Sequence, residues 1–277
     1  MDCFRHQTIN QKGGYLMALS RYPVIFAGAG PGDPDLITVK TMKVLSRADL
    51  IIYAGSLVPE SVLSWKGPHA RTVSSADLNL DQIVDIMCSH YRAGKIVVRL
   101  HTGDPSLYGA IFEQMRALEK HQIPYQVIPG VTAAFAAAAA MNMEYTLPET
   151  TQTLILTRIS GRTPVPESEN LESLAAHQAS MAIYLSMGHV LKVTQILSAH
   201  YGDNAWCAVA YKVSHPEEKI VYCRIRDLDT TCRQHRITRH ALIIVGKAVT
   251  ACLKNQDLLK SKLYDAGFSH GYRTAKR

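Results

Sequence analysis

The sequence predicts an α/β fold of two domains, the first on a mainly parallel sheet and the second on a mixed one. Three observations predict it. Short apolar runs rich in Val and Ile alternate with amphipathic stretches through residues 23–128, the pattern of strands buried on both faces beneath crossover helices. Loops that contain glycine follow each of these runs. A proline-bearing connector near 140–150 then opens a second series of strands, two of which flank His215-Pro216 at hairpin spacing.

In chain order, the first-half strands are 23–28 (PVIFAG), 50–54 (LIIYA), 96–100 (IVVRL) and 125–128 (YQVI), with helices at 36–47, 80–93 and 106–121. Asp33 and Asp35 stand where the first helix starts, and negative charge favours that end of a helix. The run Ala133–Ala140, broken only by Phe135, is strong helix former, with Thr132 placed as its N-cap. Second-half strands are 152–158, 180–185, 205–211, 218–223 and 241–246, with helices near 168–177, 188–200 and 226–235. The expected units are domains at 22–145 and 146–250, a flexible extension at 1–21 and a basic tail at 251–277.

Composition narrows the class. A chain of 277 residues, 47% hydrophobic and 19% charged, suits ordinary globular domains. No stretch approaches the roughly 20 apolar residues that cross a bilayer. The first sixteen residues lack the apolar core of a secretory leader, so a cytoplasmic protein without membrane partners is expected. The net charge of +7 is concentrated at the two ends, and residues 24–250 are nearly neutral. That distribution describes solvated tails, and nucleic acid is not an expected partner. None of the six cysteines forms a Cys-x-x-Cys pair, and the series Cys223, Cys232, His235, His240 fits no zinc spacing, so no metal is expected.

The loops after the first-half strands carry the functional information. They read Gly28-Ala-Gly-Pro-Gly-Asp33, Ala54-Gly-Ser-Leu-Val-Pro59, His101-Thr-Gly-Asp-Pro105 and Pro129-Gly-Val-Thr132. Right-handed crossovers bring all four to the carboxyl edge of a parallel sheet, where open α/β sheets bind ligands. Although the first loop superficially matches a dinucleotide fingerprint, Asp33-Pro34-Asp35 puts negative charge where a pyrophosphate would rest. The second strand ends in Tyr53-Ala54-Gly55 without the acidic residue that grips a ribose, and no Walker lysine follows. NAD and ATP are therefore disfavoured.

Three stretches, GAGPGDPDLITVK at 28–40, VVRLHTGDPSLYGA at 97–110 and IPGVTAAFAAAA at 128–139, closely resemble the tetrapyrrole (corrin/porphyrin) methylases in order and spacing. The resemblance covers about residues 22–250. Within that family, GDPSLYGAIFEQ at 103–114 and TQTLILTRISGRTPVPE at 151–167 look most like the branch acting at C11 of precorrin-4 or its cobalt form in corrin synthesis. Branches acting at C20 or C17, or on diphthine, share the fold and are the alternatives. The resemblance implies S-adenosyl-L-methionine in a cleft between the two domains, a tetrapyrrole substrate and a homodimer. It also implies a cofactor pocket made by Pro31, Thr102, Gly103, Asp104, Thr132 and Ala133 from the first domain, completed by Leu185, Ser186, Val213 and Gly246 from the second.

Methyl transfer from a sulfonium to an electron-rich carbon is governed mainly by alignment, which suits a site of backbone loops without a nucleophilic triad. A substrate with many carboxylates calls for guanidinium groups. Arg99, His101, Arg158 and Arg162, at or just past strand ends, are the expected substrate contacts. Asp104, Tyr108 and Glu113 are the candidate catalytic side chains: Asp104 for a hydrogen bond to the donor, and Tyr108 and Glu113 for steering protons. A helix cap at Asp104 is the competing reading.

Overall fold

Val24–Gly28 (β1), all five residues buried, runs through the first sheet of a computed structural model that describes residues 22–55, 57–254 and 261–275. The extension expected at 1–21 lies outside the described residues. Leu50–Tyr53 (β2), Arg71–Ser74 (β3), Val97–His101 (β4) and Tyr125–Ile128 (β5) complete this sheet in the order β3-β2-β4-β1-β5, every pairing parallel. Adjacent strands β1 and β4 send their crossovers toward opposite ends of the sheet, which opens a crevice above their carboxyl ends.

Helix Val39–Leu45 (α1) packs on one face through Leu45 against Ile25, Ile51 and Leu100. On the other face, Leu80–Arg92 (α2) and Ile111–Lys120 (α3) bury Met87 and Leu118 against Phe26, Leu50 and Ile52. Each such fully buried side chain contributes about 1.5–3 kcal/mol. A reciprocal capping box between Asn79 and Gln82 starts α2.

The second sheet consists of Leu154–Arg158 (β6), Ser180–Tyr184 (β7), Trp206–Tyr211 (β8), Lys219–Arg224 (β9) and Ala241–Val245 (β10). Its order is β6-β7-β10-β8-β9; only β6 and β7 are parallel, so the sheet is mixed as expected, and β8–β9 is the hairpin around His215-Pro216. Leu171–Ala175 (α5), Val190–Tyr201 (α6) and Leu228–Gln234 (α7) cover one face.

The other face takes Ala133–Ala140 (α4) and Lys247–Lys254 (α8). The alanine run thus follows the parallel sheet in the chain but packs on the mixed one, with Ala134, Ala137 and Ala138 against Ala182, Ala208 and Ala210. Small side chains on both partners let helix and sheet approach closely. Helix α4 therefore packs with the mixed sheet although it lies within the 22–145 unit expected from the sequence.

Several elements differ from expectation. Strand β3 was not anticipated: Arg71–Ser74 is short, mostly exposed and pairs only with β2, so it carries no apolar pattern. The first helix is preceded by a 3-10 turn, Pro34–Leu36, capped by Asp33, and α1 begins only after Thr38. The helix expected from 106 starts at 111, because Tyr108 and Ala110 take left-handed backbone angles (φ 56° and 48°). Helix α8 crosses the position where the basic tail was expected to start. Among the described residues, no helix is long and apolar enough to cross a membrane, and no three His, Cys, Asp or Glu side chains gather for a metal.

Candidate functional site

The first, third and fourth glycine loops form one structure. Gly30 and Gly103 pair across the β1–β4 crevice through two backbone bonds, Gly103 N–H to Gly30 O at 2.7 Å and Gly30 N–H to Gly103 O at 3.3 Å. Ala29 N–H donates to His101 O at 2.7 Å. The 129–132 loop closes against both: a Cβ on Gly28 would lie 2.5 Å from Gly130 Cα and 2.6 Å from Gly103 O, so no larger residue fits there. After β2, Gly55 packs on Ser74 of β3.

Asp104 braces this assembly. Its Oδ2 accepts from Gly130 N–H at 2.8 Å, and its Oδ1 accepts from both the backbone and the hydroxyl of Ser106. Burial alone would raise its pKa; the hydrogen bonds from Ser106 and Gly130 outweigh that and hold it below the ordinary 3.8. The carboxylate is occupied in tying two loops together, which favours the capping reading over a direct catalytic one.

The mixed sheet presents its matching edge to these loops. Leu185, just past β7, is 68% exposed with φ 50°, an unusual state for a leucine and one suited to receiving an apolar ligand surface. Ser186 is buried, its hydroxyl bonded to Tyr184 O and accepting from Ile159 N–H, so any ligand contact at Ser186 comes from its backbone. Val213 follows β8, whose Tyr211 lies beside Ala241 at the same edge. Gly246 does not belong there. Val245 pairs with Met181, and Gly246 packs on Ser180 at the opposite end of β7 from Leu185. Gly246 is withdrawn from the expected pocket.

The expected substrate residues separate into two groups. Arg99 is buried beneath α3, donating to Gln114 Oε1 and Ile52 O, both at 3.3 Å, and burial lowers its pKa to about 10. It remains charged at neutral pH but serves the interior and does not face a trough. His101 is likewise 5% exposed; burial, with Arg99 adding, draws its pKa to about 3, and its Nε2 has no partner. A neutral interior imidazole is a poor receptor for carboxylates. These two corrections share one cause: β4 is a central strand covered by helices.

Arg158 and Arg162 fare differently. Arg158 donates to Thr163 O at 2.9 Å and Pro164 O at 2.8 Å, which folds the 159–166 loop back over the end of β6. That loop leaves Arg162 exposed. Tyr108 lies close enough to Arg158 to feel its charge: burial raises the phenol pKa, and Arg158 pulls it back. The Tyr108 ring, 43% exposed, leans on Tyr184 with centroids 5.5 Å apart. Glu113 is exposed in the first turn of α3.

Sequence reasoning missed the residues that join the halves. The Tyr184 hydroxyl accepts from Ala134 N–H at 2.9 Å and lies 2.7 Å from Thr132 Oγ1; burial, offset by these two bonds, raises its pKa. Ser214 Oγ accepts from Asp33 N–H at 3.0 Å, and the His215 ring covers Gly32. No local pattern marks these side chains, because their partners lie 50 or more positions away.

The cradle fits an S-adenosyl group. Gly103 has φ 62°, and a Cβ placed there would meet nothing nearer than 3.7 Å, so the protein leaves that space open beside Thr132. The loops offer backbone groups and the Asp104 carboxylate, with Leu185 exposed on the mixed sheet, which suits a cationic sulfonium nucleoside and disfavours a polyphosphate.

Comparison with known proteins agrees. The family model described as Tetrapyrrole (Corrin/Porphyrin) Methylases matches residues 23–229. A cobalt-precorrin-4 C(11)-methyltransferase of Priestia megaterium is 45% identical over 247 residues, 89% of this chain and 95% of its own. A precorrin-4 C(11)-methyltransferase of Pseudomonas aeruginosa is 45% identical over 90% of this chain and 98% of its own. The X-ray structure of a cobalt precorrin-4 methyltransferase superposes with a TM-score of 0.81 at 43% identity, covering 85% of this chain and 99% of that one. A uroporphyrin-III C-methyltransferase from Thermus thermophilus, solved with S-adenosylhomocysteine, gives 0.68 at 25% identity over 82% and 93% of the two chains. The chain belongs to the tetrapyrrole (corrin/porphyrin) methylases.

Proposed function

We propose that this chain transfers a methyl group from S-adenosyl-L-methionine to C11 of precorrin-4 or cobalt-precorrin-4 during cobalamin corrin-ring biosynthesis. The observation that carries this reading is the single edge at which the glycine loops meet Tyr184 and Ser214 of the mixed sheet, the neighbours of Leu185 and Val213. The 45% identity to enzymes bearing that name over nine-tenths of the chain supports the choice of carbon.

When bound, S-adenosylmethionine supplies an activated methyl on a sulfonium and leaves as S-adenosylhomocysteine without needing a proton. The chain's residues align and enclose. Pro31, Thr102, Gly103, Thr132 and Ala133 hold the donor from the parallel side, and Leu185, Ser186 and Val213 hold it from the mixed side. Asp104 fixes the loops in register, and such alignment can lower a barrier by about 7–11 kcal/mol. Arg162 grips substrate carboxylates, Arg158 shapes the loop that carries Arg162, and Tyr108 walls the cleft between donor and macrocycle. Glu113 remains at the rim as a proton-handling candidate. The active species is a homodimer, which sedimentation of the purified protein checks directly.

The test is incubation with methyl-labelled S-adenosylmethionine and either form of precorrin-4. One labelled methyl at C11, located by carbon NMR of the product, is expected. Label at C20, C17 or no ring carbon overturns the assignment.

A further inference from the structure

Thr132 occupies the N-cap position of α4, yet its side chain makes no cap hydrogen bond. An N-cap threonine ordinarily accepts from a backbone N–H of the first turn. Here the Tyr184 hydroxyl does so in its place, reaching across from the mixed sheet to accept from Ala134 N–H at 2.9 Å. The same hydroxyl lies 2.7 Å from Thr132 Oγ1. A phenol has one hydrogen to donate. Either hydroxyl can be the donor in that pair; when Tyr184 donates to Thr132 Oγ1 while accepting from Ala134 N–H, the threonine's own hydrogen is left to point elsewhere. Thr132 borders Gly103, where the cradle is open.

We propose that Tyr184 is a positioning residue for the methyl donor: by capping α4 it frees the Thr132 hydroxyl from that task and presents it to the cleft as a hydrogen-bond donor. The proposal rests on the reading that S-adenosylmethionine binds this cleft. Without the Tyr184 hydroxyl, Thr132 Oγ1 turns inward to cap its own helix and is lost to the ligand. The tilted contact with Tyr108 keeps the Tyr184 ring in place while this happens at its tip.

The experiment is calorimetric titration of S-adenosylhomocysteine into wild type, Tyr184→Phe, Thr132→Val, Thr132→Ser and the Tyr184→Phe/Thr132→Val double variant, with thermal melts confirming the fold. Each of Tyr184→Phe and Thr132→Val is expected to weaken binding about tenfold, the loss of one ligand hydrogen bond. The double variant is expected to bind no more weakly than the worse single one, because both changes remove the same contact. Thr132→Ser, which keeps the hydroxyl, is expected to bind like wild type. Unchanged affinity in folded Tyr184→Phe, or losses that multiply in the double variant, overturns the proposal. If Tyr184→Phe fails to fold, the threonine pair decides: equal affinity of Thr132→Val and Thr132→Ser overturns it. Wild-type protein that binds no S-adenosylhomocysteine would overturn the cofactor reading itself, a distinct result.

Discussion

At the scale of single residues, environment outweighs type. Arg99 and His101 carried the chemistry of substrate contacts in the sequence, and β4 buries both. A sequence shows that a charge lies within a strand; it does not show how many neighbours cover that strand. The burial has a measurable consequence. The unfolded chain takes up a proton on His101 near its ordinary 6.5, whereas the folded ring resists protonation down to about 3. The unfolded state therefore binds more protons in that interval, and stability should fall as the pH drops from 6.5 toward 3. Asp104 acts in the same sense lower down, since its depressed pKa makes its stabilisation disappear as pH falls below 3.8. Thermal melts of His101→Gln should show a flatter pH dependence between 6.5 and 4 than wild type; equal slopes would remove His101 as the cause. Asp104→Ala leaves Gly130 N–H without its acceptor and should cost about 1–3 kcal/mol. Displaced loops should also weaken donor binding at least about tenfold. A stable, tight-binding Asp104→Ala would show that the brace is dispensable.

At the scale of elements, regular structure was legible where apolar periodicity is strong. Buried strands β1, β2, β4 and β5 and amphipathic α2 announced themselves in this way. Strand β3 is too short and exposed to do so, and the onset of α3 is delayed by left-handed backbone at Tyr108 and Ala110, which no local pattern announces. The loop glycines were legible as a group, but their mutual contact was not. Gly28→Ala tests that contact: its Cβ would meet the backbone of Gly130 and Gly103, which cannot yield as a side chain would. A loss of about 1–3 kcal/mol is expected, against almost none for Gly188→Ala, where nothing lies within 4 Å. Equal melting temperatures for the two would mean that the loops are not packed as described. On the other side of the cleft, the 159–166 loop should act on substrate alone. Arg162→Ala should raise the KM for precorrin-4 about tenfold, as loss of a charge-assisted bond does, and leave S-adenosylhomocysteine affinity unchanged. Equal effects on both ligands would place Arg162 elsewhere.

At the scale of the whole molecule, two sheets of different design share one edge. The parallel sheet brings loops to its carboxyl ends by topology alone, which is why that half of the site could be read from order and spacing. The mixed sheet contributes through tertiary contacts: Tyr184 to Thr132 and Ala134, Ser214 to Asp33, His215 over Gly32. Those links join residues at least 50 positions apart, and no local pattern encodes them. Gly246 illustrates the same point in reverse, since β10 runs antiparallel to β7 and carries it to the far end. The central claim is that both halves close on one donor, and amide hydrogen exchange with and without S-adenosylhomocysteine tests it most directly. Slowed exchange is predicted together in 28–33, 101–105 and 129–134 of one half and in 185–186 and 212–214 of the other. Protection confined to one half, or appearing beside Gly246 instead, would contradict it.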